Sequence, residues 1–192
     1  MNTVLRMMTA IYLMKDNRFL LLYRQGGRVV NNVYTGSAGG HLEKDELTDP
    51  RACVLRELRE ELSLTEEQIS NPELRYIALR YTGGEIRQNF YYFAELKEDV
   101  GEICSNEGAL QWVDFDEAAS LEMPFCAKFA IEHYLQIGRY DHRRYRNGAG
   151  IRPDGPREVT GKGKTARRCR RIRFLFALRA QIFFCFMTKT KI

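Results

Sequence analysis

GGHLEKDELTDPRACVLRELREELSL, residues 39–64, is the stretch on which the reading of this chain turns. Its second half predicts a helix, with Asp49 as N-cap and Pro50 as first helical residue. At about 100° per residue, Leu55, Leu58 and Leu62 share a narrow apolar stripe. Glu57, Glu60 and Glu61 point roughly the opposite way at spacing i, i+3, i+4, so their side chains meet on one face. Like charges so placed repel by about 0.2–0.5 kcal/mol per pair. A hard divalent cation removes that cost, because carboxylates are its preferred ligands. Arg56 stands beside the cluster, where its fork of donors can brace a carboxylate. Taken alone, the charges equally suit a solvated helix face. The preceding Gly39-Gly40 changes the reading, because paired glycines let backbone turn tightly and approach a ligand. A turn of that kind beside three carboxylates is the geometry of a metal-assisted phosphate site.

These residues resemble the signature of the Nudix hydrolases, which cleave a nucleoside diphosphate linked to another group. The signature is a Gly, five residues, a Glu, seven residues, then Arg-Glu-(aliphatic)-x-Glu-Glu-x-Gly-(aliphatic). Here Gly40 is followed after five residues by Glu46, and the helical part reads Arg56-Glu57-Leu58-Arg59-Glu60-Glu61-Leu62-Ser63-Leu64. Nine residues rather than seven separate Glu46 from Arg56, and Ser63 stands where the family has Gly. The resemblance implies an α/β fold, a Nudix-like α/β/α sandwich with a mixed β-sheet and a catalytic loop-helix-loop, over residues 1–145. It implies metal ligation by Glu57, Glu60 and Glu61 with the Gly40 backbone, Mg²⁺ as the ion and Mn²⁺ as a substitute. It also implies a further carboxylate from a later loop, for which Glu107 is the candidate. Arg56 completes the expected catalytic set, and either Glu57 or Glu107 is the expected proton acceptor.

Charge divides the chain in two. Residues 151–192 hold 12 Lys or Arg and 2 Asp or Glu, leaving 18 basic and 23 acidic residues in 1–150. The overall net charge of +5 therefore belongs to the tail, and the acidic body argues against a general nucleic-acid-binding surface. Residues 146–192 are read as a basic, poorly ordered extension with a Pro/Gly-rich linker. Its uncharged run Ala180–Thr188 is nine residues, too short for a membrane span of about twenty. A membrane or partner contact through 164–192 is the minor alternative. Cys53, Cys104, Cys126, Cys169 and Cys185 are odd in number and form no CxxC pair, as in a reducing, cytoplasmic setting.

In chain order, residues 3–14 and 18–24 predict a hairpin turning at Lys15-Asp16-Asn17. Arg24 and Arg28 flank a Gly-rich loop and are candidates for substrate phosphates; Gly39 and His41 adjoin the expected site and are substrate-binding candidates too. Ser63–Asn71 reads as a connection. Leu74–Tyr81 and Ile86–Leu96 form a second hairpin around Gly83-Gly84, with Arg80, Arg87 and Gln88 polar near its tip. Ala109–Phe115 is a strand, Asp116 caps a short helix, and Phe125–Ile137 is a helix with Phe129, Ala130, His133 and Ile137 spaced for one face. His133 reads as structural. A homodimer is left open. The favoured substrate is a nucleoside triphosphate, an oxidised purine nucleotide among the options. A nucleotide sugar, ADP-ribose or capped RNA is the runner-up, and a non-catalytic nucleotide sensor the alternative from another class.

Overall fold

The computed structural model describes residues 4–25 and 32–140, and the backbone of 176–178 and 181–186. β1 (Val4–Lys15) turns at Asp16 and Asn17, both at positive φ, into β2 (Arg18–Arg24). Two positive φ values match the right-handed twist of the flanking strands, so this is a tight hairpin. β3 (Val33–Thr35) precedes α1 (Pro50–Leu62). β4 (Ile69–Thr82) and β5 (Glu85–Leu96) form the long hairpin, turning through Gly83 and Gly84 at φ 59° and 86°. β6 (Ala109–Asp114), α2 (Phe115–Ala118) and α3 (Phe125–Gln136) follow. The sheet runs β3-β2-β1-β5-β4 and is mixed: β1 and β5 are parallel, while the hairpin partners are antiparallel. β6 pairs with β2.

Helices cover both faces. On one, Val54, Leu58 and Leu62 of α1 pack with Ile11, Leu13, Leu20, Phe90 and Tyr92. On the other, Ala130, Ile131 and Tyr134 of α3 pack with Tyr12, Phe19, Tyr91 and Phe93. The alternation of β1 and β5 thus sends successive side chains to opposite layers, and the α/β/α sandwich is as expected from sequence.

β1 and β2 pair only near their turn, and the segment after β3 wedges into the fork between them. Ser37, fully buried, sits at its apex. Its hydroxyl donates to the Leu20 carbonyl at 2.5 Å and accepts from the Leu13 N–H at 2.8 Å. Below it the chain pairs with β1: Ile11 N–H donates to Ala38 O, Thr9 N–H to Gly40 O and Leu42 N–H to Met7 O, at 2.8–3.0 Å. Gly39 is obligatory here. Its φ is 154°, and an added Cβ would collide with the Thr9 carbonyl.

α1 begins as expected, the Asp49 carboxylate accepting from the Arg51 and Ala52 N–H groups. It ends at Ser63, held at φ 55° where Gly is usually favoured, with its N–H returned to the Arg59 carbonyl. Several expectations shift. The buried stripe of α1 is Cys53, Val54, Leu58 and Leu62, with Leu55 only half-buried, because the helix is rotated toward its Cys53 side. α3 buries Ala127, Ala130, Ile131 and Tyr134, whereas Ile137 is exposed at the helix end. The helix cap before α2 is Asp114, not Asp116. β4 starts at Ile69, five residues earlier than expected, and reaches its partner through irregularities between Ser70 and Glu73 and between Leu74 and Tyr76. Those bulges break the alternation that a strand reading relies on. His133 bonds the Tyr76 hydroxyl through Nδ1 at 3.0 Å, a packing role.

In the region read as an extension, two backbone segments pair: β7 (Phe176–Leu178) with β8 (Gln181–Phe186), and β8 in parallel with β4. The rest of 146–192, together with Arg28 and His142, lies outside the described residues. Among the described residues, no helix is long and apolar enough to cross a membrane.

The two extra residues after Glu46 are absorbed in the turn before α1, and Glu46 still reaches back to Arg56. The two form a fork-to-fork pair, Nε to Oε1 at 2.8 Å and Nη2 to Oε2 at 3.0 Å, with Glu46 buried. Arg56 holds the Glu46 carboxyl well below its ordinary 4.5, at about 2. A carboxylate so depressed stabilises the fold above its unfolded value, and that stability is lost as pH falls through the folded value. Glu46→Gln should therefore lower the urea midpoint at neutral pH, and the difference from the parent chain should shrink between about pH 4.5 and pH 2. A difference independent of pH would mean that the charge of Glu46 is not what ties the loop.

Candidate active site

The glycine wedge and α1 meet along one line. Gly39 N–H donates to Glu61 Oε2 at 3.0 Å. Gly40 lies against Glu57 so closely that an added Cβ would overlap its carboxylate. Both glycines are therefore required by what approaches them, and the helix face that carries the acids is pinned to the wedge at two successive turns.

Arg56 is the hub of the cluster. One nitrogen, Nη1, donates to both Glu57 Oε1 and Glu60 Oε2 at 2.9 Å, while the other side of the fork holds Glu46 and the His41 carbonyl. One guanidinium thus offsets three carboxylates, which raises its own proton affinity further. Glu61 lies outside its reach. Burial, with the charge of Glu57 and Glu107 adding, pushes Glu61 up to about 7, against the opposing Gly39 hydrogen bond. Burial also raises Glu57, against Arg56. Beneath the hub, Cys53 contacts Thr9 Oγ1 at 3.3 Å; burial pushes its thiol up to about 11, so it is inert as a nucleophile.

Glu107 precedes β6 and forms an ion pair with Arg24 at the end of β2. The charges of both act on Glu61. Glu61, Arg24 and Gly39 line a cleft of about 410 Å³ on the α3 side of the sheet. That volume lies in the range of small-molecule sites. Met8, Ala10, Tyr91, Pro124 and Phe125 line it as well.

The structure brings Arg24, Gly39, Gly40, Arg56, Glu57, Glu60, Glu61 and Glu107 to one region. The exposed His41 side chain does not line the cleft; its backbone carbonyl serves Arg56 instead. Asn89, Phe125 and Cys126 line the cleft without having been singled out in the sequence. The period-two alternation of β5 could have placed Asn89 on the Tyr91 face; nothing local marks the other two. Among the described residues, no three carboxylate, imidazole or thiol groups converge on a point where they could hold a metal ion. Arg56 occupies the gap between Glu57 and Glu60. The donors themselves are all oxygen, suited to a hard cation.

The comparisons with known proteins agree with this geometry. Residues 5–133 match the family model described as the NUDIX domain. Among solved structures, the chain is similar to the mutator MutT protein from Bacillus halodurans, at 27% identity over 68% of this chain and 82% of that one, TM-score 0.52. It shares the fold of the C. elegans Ap4A hydrolase (20% identity, 69% and 96% covered, TM-score 0.52). It also shares that of the NUDIX domain of Shewanella oneidensis NrtR, solved with ADP ribose (15% identity, 73% and 90% covered, TM-score 0.53). No curated protein matches. With two-thirds of its length in the family model and the glycine wedge and acidic helix joined as described, the chain belongs to the NUDIX family, hydrolases of the phosphoanhydride in diphosphate-linked substrates.

Proposed function

We propose that this protein is a metal-dependent pyrophosphohydrolase of nucleoside triphosphates, with oxidised purine nucleotides among its substrates. The observation that carries the reading is the junction of Glu57 and Glu61 with Gly39 and Gly40, of which Gly39 and Glu61 line the cleft. Reaction there has the anhydride over the carboxylates and the nucleoside in the cleft. The modest volume of the cleft favours one nucleotide over a bulky conjugate.

Glu57, Glu60 and Glu61 would hold Mg²⁺, with Mn²⁺ as a substitute and a backbone oxygen at Gly40 as a further donor. The ion, when bound, neutralises phosphate oxygens and lowers the pKa of an attacking water. The remaining work belongs to the chain. Arg56 keeps Glu57 and Glu60 in register and Glu46 fixes Arg56, so the acids are positioned before any ligand arrives. Arg24 offers its charge to a substrate phosphate, and Glu107 steers it. Glu57, desolvated against Gly40, is the favoured proton acceptor, with Glu107 second. Attack on the α or β phosphorus of a triphosphate releases a nucleoside monophosphate and pyrophosphate.

A nucleotide panel assayed with and without Mg²⁺ tests the reading. Glu60→Gln should remain folded by circular dichroism and lose most metal-dependent turnover. Glu57→Gln should lose about 10²-fold or more in kcat, and more than Glu107→Gln. Turnover in Glu60→Gln equal to that of the parent would remove Glu60 from the metal site, and inactivity of the folded parent that still binds nucleotide would favour a sensor. Removing residues 151–192 should leave turnover per folded molecule largely intact, because every residue named here lies before position 108; a matching loss of activity in soluble, folded protein would assign the extension a part in the site.

A further inference from the structure

β6 is the outermost strand at its end of the sheet. β2 gives one edge to β1 and β3 and the other to β6, so that Leu22 pairs with Thr35 on one side and with Leu110 on the other. Beyond β6 the sheet stops: among the described residues, the backbone of 109–113 makes no hydrogen bond except to β2. The opposite end differs, because β8 of the chain itself lies along the outer edge of β4. An open edge is a template for another strand, and proteins blunt it with lysine, proline or a bulge. β6 has none of these. Its sequence ALQWVD carries one charge, at the last residue, and its register with β2 runs through six consecutive pairs without a shift. Ala109, Gln111 and Trp112 are exposed along it.

The strand is also complementary to itself. Gln111 stands at its centre, flanked by Leu110 and Trp112 and then by Ala109 and Val113. In an antiparallel pair, residues opposite one another share a face, so two copies of one strand align about a residue. Alignment about Gln111 sets that residue opposite itself, Leu110 opposite the second copy's Trp112 and Ala109 opposite its Val113. Asp114 then falls opposite Gly108. Apolar meets apolar, amide meets amide, and no two charges oppose. The neighbouring alignments lose this match: centring on Trp112 sets Asp114 opposite Leu110, and centring on Leu110 sets Glu107 opposite Val113. The side chains are in place for such a contact. Arg18 lies over the Trp112 ring, 5.5 Å from its centroid. Leu110 and Trp112 line a cavity of about 420 Å³ with Leu20, Leu96 and Ile103, and the second copy's indole, opposite Leu110, comes to lie beside it.

We propose that β6 is a dimerisation edge, which pairs antiparallel with β6 of a second copy about Gln111 and joins two sheets into one. The contact is isologous, so each copy uses up the open edge of the other and nothing is left to propagate. It is centred on one short strand per copy, at the small end of interface sizes, so the dimer is reversible, with a Kd on the order of micromolar. None of the acids of α1 lies on this edge, and the inference stands independently of the hydrolase reading.

Sedimentation velocity of the full chain, from about 1 to 300 µM, tests the pairing. The parent chain should pass from monomer to dimer within that range. Gln111→Lys sets two cations against each other at the twofold axis and Gln111→Glu two carboxylates, so either variant alone should weaken the dimer about tenfold or more. Mixed in equal amounts, the two should dimerise again, because this register brings position 111 against itself. Circular dichroism checks that each variant is folded, since Gln111 also accepts a hydrogen bond from the Tyr34 hydroxyl at 2.7 Å. Residues opposite one another in such a pair have Cα atoms about 4.5–5.5 Å apart, a separation that suits a disulfide. Mild oxidation of Gln111→Cys should therefore give a covalent dimer that the parent, with its exposed Cys104, does not. A parent chain that is monomeric throughout would overturn the self-pairing and leave the edge to a strand of another protein. A dimer as tight in Gln111→Lys as in the parent, or one that the mixture does not restore, would place the contact elsewhere and overturn it as well.

Discussion

A single buried hydroxyl sets the geometry on which the site depends. Where β1 and β2 diverge, each strand would leave a backbone group without a partner in the interior, at a cost of about 1–3 kcal/mol per group. Ser37 meets both, accepting from Leu13 and donating to Leu20, and so fixes how deep the following segment enters the sheet. Only because that segment is seated at Ser37 do Gly39 and Gly40 fall beside Thr9 and under the acids of α1. The core contributes the rest: α1 is held from below by Val54, Leu58 and Leu62, so its other side is turned to the wedge with little freedom.

Much of this was legible in the sequence, for reasons that are local. Asp49-Pro50 announces the start of α1 through capping and fixed φ, and i, i+3, i+4 spacing gathers the glutamates whatever the helix packs against. Paired glycines and Asp-Asn mark the two hairpins. What was hidden is relational. A serine in Thr35-Gly36-Ser37-Ala38 looks like any loop serine until two strands are seen to part around it. The buried face of α3 is displaced toward Ala127 and Tyr134 because the stacked pair of Phe93 and Tyr134, with ring centroids 4.0 Å apart, sets the rotation of the helix. Periodicity gives a stripe but not the partner that selects it. Likewise the charge sequence could not tell that Arg56 would engage three acids rather than one, nor that Arg24 would choose Glu107.

Division of labour among the acids follows from their distances to that arginine. Glu46 is a buried structural counter-ion, Glu57 and Glu60 share one nitrogen, and Glu61 leans on a backbone amide with its proton affinity raised by burial. Glutamates of identical chemistry thus differ in basicity within one cluster, Glu46 lowered and Glu57 and Glu61 raised, the environment rather than the residue type deciding each. The same rule explains Cys53, a thiol beside an arginine that desolvation nonetheless keeps protonated.

The arginine hub has a further consequence for how the protein is made. Three acids that would repel one another are bridged, and their repulsion reduced, by a cation belonging to the chain itself. Folding therefore brings a counter-ion to the acids from within the chain, at a local concentration set by covalent linkage and not by the medium.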